Sequence, residues 1–239
     1  MNRALPINVD CGENFGNYNL YNEEIILANA DMINVACGFH AGDFSSIINT
    51  IKKAGENGIK IGAHPSYPDL QGFGRRFMTM NEKEIYDLTT FQIATIYGLC
   101  KRFNIKLHHV KAHGALYHTV SYGKLGEAYL KAIKDFDSAL TVLAPSDSDL
   151  YHLCLVNGLN CMQEAFADRR YNANMQLLNR SEEGSVYHQA DSIISQYKNI
   201  CDGYVIDHAD TKRNITAQTI CIHGDNIALD SFFQFLKNE

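Results

Sequence analysis

The segment Met32-Ile33-Asn34-Val35-Ala36-Cys37-Gly38-Phe39-His40-Ala41-Gly42-Asp43 contains the pattern that organises this chain. Residues 32–36 are almost wholly apolar and read as a buried strand. A turn with two glycines, a cysteine and a histidine follows. Asp43 can then N-cap a helix over 44–55, in which Ile47, Ile48 and Ile51 share one face.

The same unit recurs on both sides. Residues 5–9 read as a buried strand and 23–30 as a helix. A third strand is expected at 60–63, followed by a long loop over 64–80. Asn81 caps the next helix, with Glu84 at the capping-box position, and that helix runs to about residue 103. Further strands are expected at 107–110, 139–143 and 161–165. Helices are expected at about 123–134, after a cap at Ser146, and near 186–197. Residues 204–206 and 219–222 look like strands, and 227–236 like a closing helix. Strands alternating with helices predict a parallel sheet with right-handed crossovers. Six or seven such units fit an α/β fold, an irregular (β/α) barrel, with a doubly wound open sheet as runner-up. No linker, repeat or low-complexity tract divides the chain, so residues 1–239 are expected to form one domain.

Net charge is −6, and the calculated pI is about 5.9. Such a chain gains little from a phosphate backbone, which argues against nucleic acid as a partner. The N-terminus shows no apolar core of a signal peptide, and no stretch suggests a membrane span. The seven cysteines are scattered without CxxC spacing, as expected of free thiols in a reducing cytoplasm.

Reactive residues cluster just after the expected strands. Asp10 and Glu13 follow the first, with Asn8 near its end; Cys37, His40 and Asp43 follow the second; His64, Asp69, Arg75 and Arg76 the third. Lys111 and His113 follow the fourth and Asp147 the fifth; Glu164 and Asp168 lie around the end of the sixth, and His223 and Asp225 follow the last. Strand C-termini of a parallel barrel or sheet open on one face, so these groups are expected to meet in one cleft. Each has an ordinary alternative: cap charges, satisfied histidines, a solvent-facing lysine or loop salt bridges. Recurrence after successive strands favours a shared site.

On this reading Asp10 or Glu13 is a general base, and His113 or His40 a general acid. Lys111 could polarise a carbonyl or bind an anion, and Arg75 and Arg76 could clamp a carboxylate or phosphate. Asn8, Asn34, His64, Glu164, His223 and Asp225 complete the expected binding residues. Asp10, His40, His64 and His113 are candidate metal ligands, although no local spacing specifies an ion. The chain has no phosphate loop, dinucleotide fingerprint, nucleophile elbow or HExxH motif.

The motifs 7–16 (INVDCGENFG), 34–43 (NVACGFHAGD), 61–65 (IGAHP), 68–76 (PDLQGFGRR), 109–117 (HVKAHGALY), 164–171 (EAFADRRY) and 222–225 (IHGD) resemble those of the LamB/YcsF family, in family order across nearly the whole chain. Two places depart from the family pattern: Ala112 stands where it usually has proline, and Ala173-Asn174 where it usually has Asp-Gly. The resemblance implies an irregular barrel of about seven parallel strands, akin to polysaccharide deacetylases. It also implies ATP-dependent hydrolysis of 5-oxo-L-proline to L-glutamate with partner subunits B and C. ATP, with Mg2+, is then expected mainly on those partners. The rival expectations are a stand-alone metal-dependent amidohydrolase or deacetylase, and a non-catalytic substrate-binding subunit.

Overall fold

Strand β1 (Ile7–Cys11) and β2 (Met32–Ala36) pair in parallel, with α1 (Glu23–Asn29) between them in the chain. The unit repeats through the computed structural model, which describes residues 4–238. Helix α2 (Phe44–Glu56) leads to β3 (Lys60–His64), and α3 (Glu82–Arg102) to β4 (Leu107–Val110). Helices α4 (Gly114–Ser121) and α5 (Leu125–Asp137) lead to β5 (Thr141–Pro145), and α6 (Asp149–Val156) to β6 (Asn160–Phe166). Then come α7 (Ala190–Cys201), β7 (Tyr204–Ile206), β8 (Lys212–Asn214), β9 (Thr219–Ile222) and α8 (Leu229–Asn238). Seven parallel strands close in the order β1-β2-β3-β4-β5-β6-β9, with β9 pairing to both β6 and β1. The expected (β/α) barrel is therefore present, and the open sheet is excluded.

All of β1 is buried, and its residues alternate in character. Ile7, Val9 and Cys11 belong to the apolar core together with Ile26 of α1, Ile47 and Ile51 of α2, and Ile85 and Ile93 of α3. Burying each large aliphatic side chain there contributes roughly 1.5–3 kcal/mol. Asn8 and Asp10 have the opposite parity and point to the barrel axis, where strand interiors must be filled. Asp10 pairs in register with Asn34, and Asn34 with Gly62. Gly62 is required because a Cβ there would fall inside the His109 imidazole. That ring crosses the barrel instead and meets Asn34 Oδ1 at 2.8 Å.

Local signals fix most helix starts. Asp43 with Ser46, and Asn81 with Glu84, form complete capping boxes. Four expectations need correction. The first and fifth strands each begin two residues later than expected, which brings Asp10 into the sheet. The cap of α6 is Ser148, whose hydroxyl accepts from Tyr151 N, whereas Ser146 Oγ accepts from Thr216 N. Helix α4 lies where none was expected; it opens at Gly114, which reads as a helix breaker but here takes φ +54. Strand β7 forms as expected but pairs antiparallel with β8, outside the barrel.

Among the described residues no helix is long and apolar enough to cross a membrane. The seven cysteines are free thiols.

Candidate active site

The barrel interior is polar near the strand C-termini because alternate residues of β1, β2, β4, β6 and β9 carry polar groups there. Asn8 Nδ2 donates to Thr219 Oγ1 (3.0 Å), and Asn34 Nδ2 donates to both Asn8 Oδ1 and Asp10 Oδ1 (2.8 Å each). Lys111, just past β4, lies inside this set and is 2% exposed. Its Nζ donates to Asn8 Oδ1 (3.2 Å), Asp10 Oδ1 (3.2 Å) and Cys221 Sγ (3.1 Å). It also pairs with Glu164 Oε1 at 2.9 Å and lies 5.1 Å from the Phe166 ring centroid. Glu164 Oε2 accepts from Tyr117 Oη (3.0 Å). The ammonium is therefore saturated and holds Asp10 in place.

This environment fixes charge states. Burial opposes ionisation of Asp10, but His64 and then Lys111 hold its carboxyl well below the usual carboxylate range. Burial would lower Lys111, but Asp10 foremost holds it well above the usual amine value. Glu13 behaves oppositely: burial, then the Asp10 charge, push it up to about 7. Two neighbouring carboxylic acids thus differ in ionisation at neutral pH, a pattern typical of acid–base sites.

Three histidines pack beside Asp10. His64 Nε2 lies 3.4 Å from Asp10 Oδ2, and its Nδ1 meets Lys111 O at 2.8 Å. His113 Nδ1 lies 3.0 Å from His64 Nε2, and its Nε2 meets Phe73 O at 2.9 Å. His40 stacks on His113 with centroids 3.7 Å apart and planes inclined by 5°. His40 Nε2 lies 3.2 Å from Glu13 Oε1, and Tyr21 Oη donates to Glu13 Oε2 (3.0 Å). Burial, then neighbouring imidazoles, push His40 and His113 well below the ordinary histidine value. Glu13, His40, His64 and His113 each offer one donor atom, all within 4.8 Å of one another, and these four could hold a metal ion. Asp10, expected among the metal ligands, lies beside that set instead, and Glu13 occupies the carboxylate position.

Above this layer opens a cavity of about 440 Å3, lined by Asp10, His64, Lys111 and His113 at its floor. His223 and Phe166 also line it, as do Arg75, Arg169 and Arg180. His223 Nδ1 is 3.0 Å from both oxygens of Asp168, so Nδ1 donates to that carboxylate and Nε2 is left for the cavity. Asp225 binds Arg75 Nη2 (2.8 Å) and Arg180 Nη1 (3.2 Å). Arg180 Nη2 is buried without a hydrogen-bond partner among the described residues.

The expected convergence is partial. Asn8, Asp10, Asn34, His64, Lys111, Glu164 and His223 meet at the barrel mouth, with Glu13, His40 and His113 packed against them. Arg75 reaches the cavity, but Arg76 does not: it turns onto Asp69 and lines a separate hollow with Phe39, Pro68 and Leu70. The expectation that Arg76 and Asp69 join the cleft is corrected, because Gly72 and Gly74 let that loop fold back on itself. Asp43 caps α2 and accepts from Gly16 N, and Asp147 pairs with His152 at the surface. Sequence reasoning missed Tyr117 and Arg180. Tyr117 was findable, one helical turn after His113. Arg180 lies in an irregular segment between β6 and α7 with no local signal.

Fold and site together define a (β/α)-barrel protein with one polar centre at the C-terminal mouth of its strands, the usual position of catalytic groups in such barrels. The family model of the LamB/YcsF family matches residues 5–238, and the chain belongs to that family. It is 42% identical to the A subunit of a 5-oxoprolinase from Staphylococcus saprophyticus over 98% of this chain and 94% of that protein. It is 40% identical to the protein of the same name from Acinetobacter baylyi, over 98% and 93% respectively. The crystal structure of a lactam utilization protein from Thermus thermophilus superposes with a TM-score of 0.90 at 30% identity, covering 98% of this chain and 96% of that one.

Proposed function

We propose that this chain is the lactam-opening subunit of an ATP-dependent 5-oxoprolinase, acting in the cytoplasm as one barrel domain with partner subunits B and C. The observation that carries the reading is the state of Asp10. Its Oδ1 is engaged by Asn34 and Lys111 and its Oδ2 is left to His64 and the cavity, and His64 and Lys111 hold the carboxyl well below the usual range. Three arginines at the cavity suit the carboxylate of 5-oxoproline or a phosphoryl group. The names of the staphylococcal and Acinetobacter relatives support the same substrate.

A lactam carbonyl is a poor electrophile. Transfer of a phosphoryl group from ATP to its oxygen makes the carbon electrophilic. We assign that step, with Mg2+, to the partners, because this chain has no phosphate loop. Water then attacks the carbon as its proton passes to Asp10 Oδ2. The ring C–N bond breaks as nitrogen takes a proton from His223 Nε2, with the Asp168 carboxylate on Nδ1 orienting the ring as the acid. The resulting acyl phosphate is hydrolysed by a second water, releasing phosphate and L-glutamate. His223 suits the acid role better than His113 or His40: both His113 ring nitrogens are engaged, and His40 lies behind the cavity wall.

The test combines this chain with subunits B and C, ATP and 5-oxoproline, and measures glutamate with each component omitted in turn. Glutamate only in the full mixture supports the reading. Turnover by this chain alone without ATP would favour the stand-alone amidohydrolase, to which the Glu13/His40/His64/His113 set lends support.

A further inference from the structure

His64 and His113 face one another through ring nitrogens 3.0 Å apart in a buried site. A carbonyl oxygen only accepts hydrogen bonds, so Lys111 O fixes a proton of His64 on Nδ1 and turns Nε2 toward His113 and Asp10. Phe73 O fixes the proton of His113 on Nε2 and leaves a lone pair on Nδ1. The His113 lone pair therefore meets His64 Nε2 at 3.0 Å, with Asp10 Oδ2 3.4 Å from the same nitrogen, a contact that needs a positive centre within it.

We propose that Glu13, His40, His64 and His113 bind one resident divalent cation of the zinc or cobalt class. Three imidazoles and one carboxylate suit such borderline ions, whereas magnesium and calcium prefer oxygen. With Zn–N bonds of about 2.1 Å, nitrogens 3.0 Å apart subtend about 90° at the ion, an ordinary coordination angle. The carbonyl anchors on His64 and His113 are the outer contacts that orient metal-binding imidazoles. Tyr21 Oη occupies Glu13 Oε2, which leaves Oε1 for the ion. His40 Nδ1 has no partner among the described residues and its Nε2 faces Glu13 Oε1; because the His40 and His113 planes are nearly parallel, one of the two rings turns for both to reach the ion. When bound, the ion would supply Lewis-acid charge beside the Asp10 carboxylate.

The proposal stands apart from the lactam reading, because its test uses no substrate. Protein treated with chelator is titrated with Co2+ and followed by visible absorption, and the metal content of untreated protein is measured by elemental analysis. About one equivalent of ion per chain is expected, with cobalt bands typical of nitrogen ligation. His113→Asn should weaken binding by at least about a hundredfold, since ligand loss should cost at least as much as loss of an outer contact. His223→Asn, outside the set, should bind as the unaltered protein does. Unaltered protein that takes up no Co2+ overturns the proposal, as does a folded His113→Asn protein that binds Co2+ as tightly as the unaltered one. A strongly deshielded proton shared by the two imidazoles in metal-free NMR spectra, unchanged by added Co2+, would also overturn it.

Discussion

Lys111 Nζ lies 3.2 Å from Asp10 Oδ1, although the two residues are 101 positions apart. Parallel strands bring them together, and both side chains are buried. Replacing Lys111 by methionine leaves Asp10 and Glu164 without their ammonium. Removing one partner of a buried ion pair costs about 3–5 kcal/mol. Urea unfolding of Lys111→Met should therefore show a loss of that size, and a Lys111→Met/Asp10→Asn double variant should recover part of it.

Gly62 and His109 form a second such constraint. Gly62→Ala forces the His109 ring out of its place or strains β3, at a cost of about 1–3 kcal/mol. Adding His109→Ala removes the clash. A double-mutant cycle should show the pair losing less stability than the sum of the single changes, and simple additivity would contradict the packing described.

Acid stability provides a third check. Burial would raise Asp168, but His223, Arg180 and Arg169 hold its carboxyl well below the usual range. A carboxyl depressed in the folded state contributes its full stabilisation above about pH 4 and loses it as acid protonates it. The unaltered protein should thus lose on the order of 2 kcal/mol through this group as pH falls below about 4. Urea midpoints measured from neutral to acid pH should show a shallower fall for Asp168→Asn.

The two adjacent arginines should separate kinetically. In the reconstituted complex Arg75→Ala should raise KM by about 10–100-fold with a smaller change in kcat, as expected for loss of a charge-assisted substrate contact. Arg76→Ala breaks a pair with the buried Asp69 outside the cavity and should leave both constants within about twofold.

These residues also mark what was legible in the sequence. The barrel could be read because each strand is a short apolar run, followed by a glycine turn and a capped helix. The placement of Asp10, His64, Lys111 and His113 at one mouth follows from parallel topology and strand parity. The shared face of His64 and His113 could not be read, since it depends on two backbone carbonyls, one of them in the 64–80 loop. Arg75 and Arg76 are alike in sequence, and only the turn at Gly72–Gly74 sends them to different surfaces. The antiparallel β7–β8 pair was hidden because β8 reads Lys212-Arg213-Asn214, with no apolar signal.

The most direct test of the account is single-turnover glutamate formation by Asp10→Asn in complex with subunits B and C. Asparagine keeps the shape and the contact with Lys111 but removes the proton acceptor. Glutamate formation should fall by at least about a hundredfold, with partner binding intact. Glutamate formed at the rate of the unaltered complex would contradict the claim that this barrel mouth opens the lactam through Asp10.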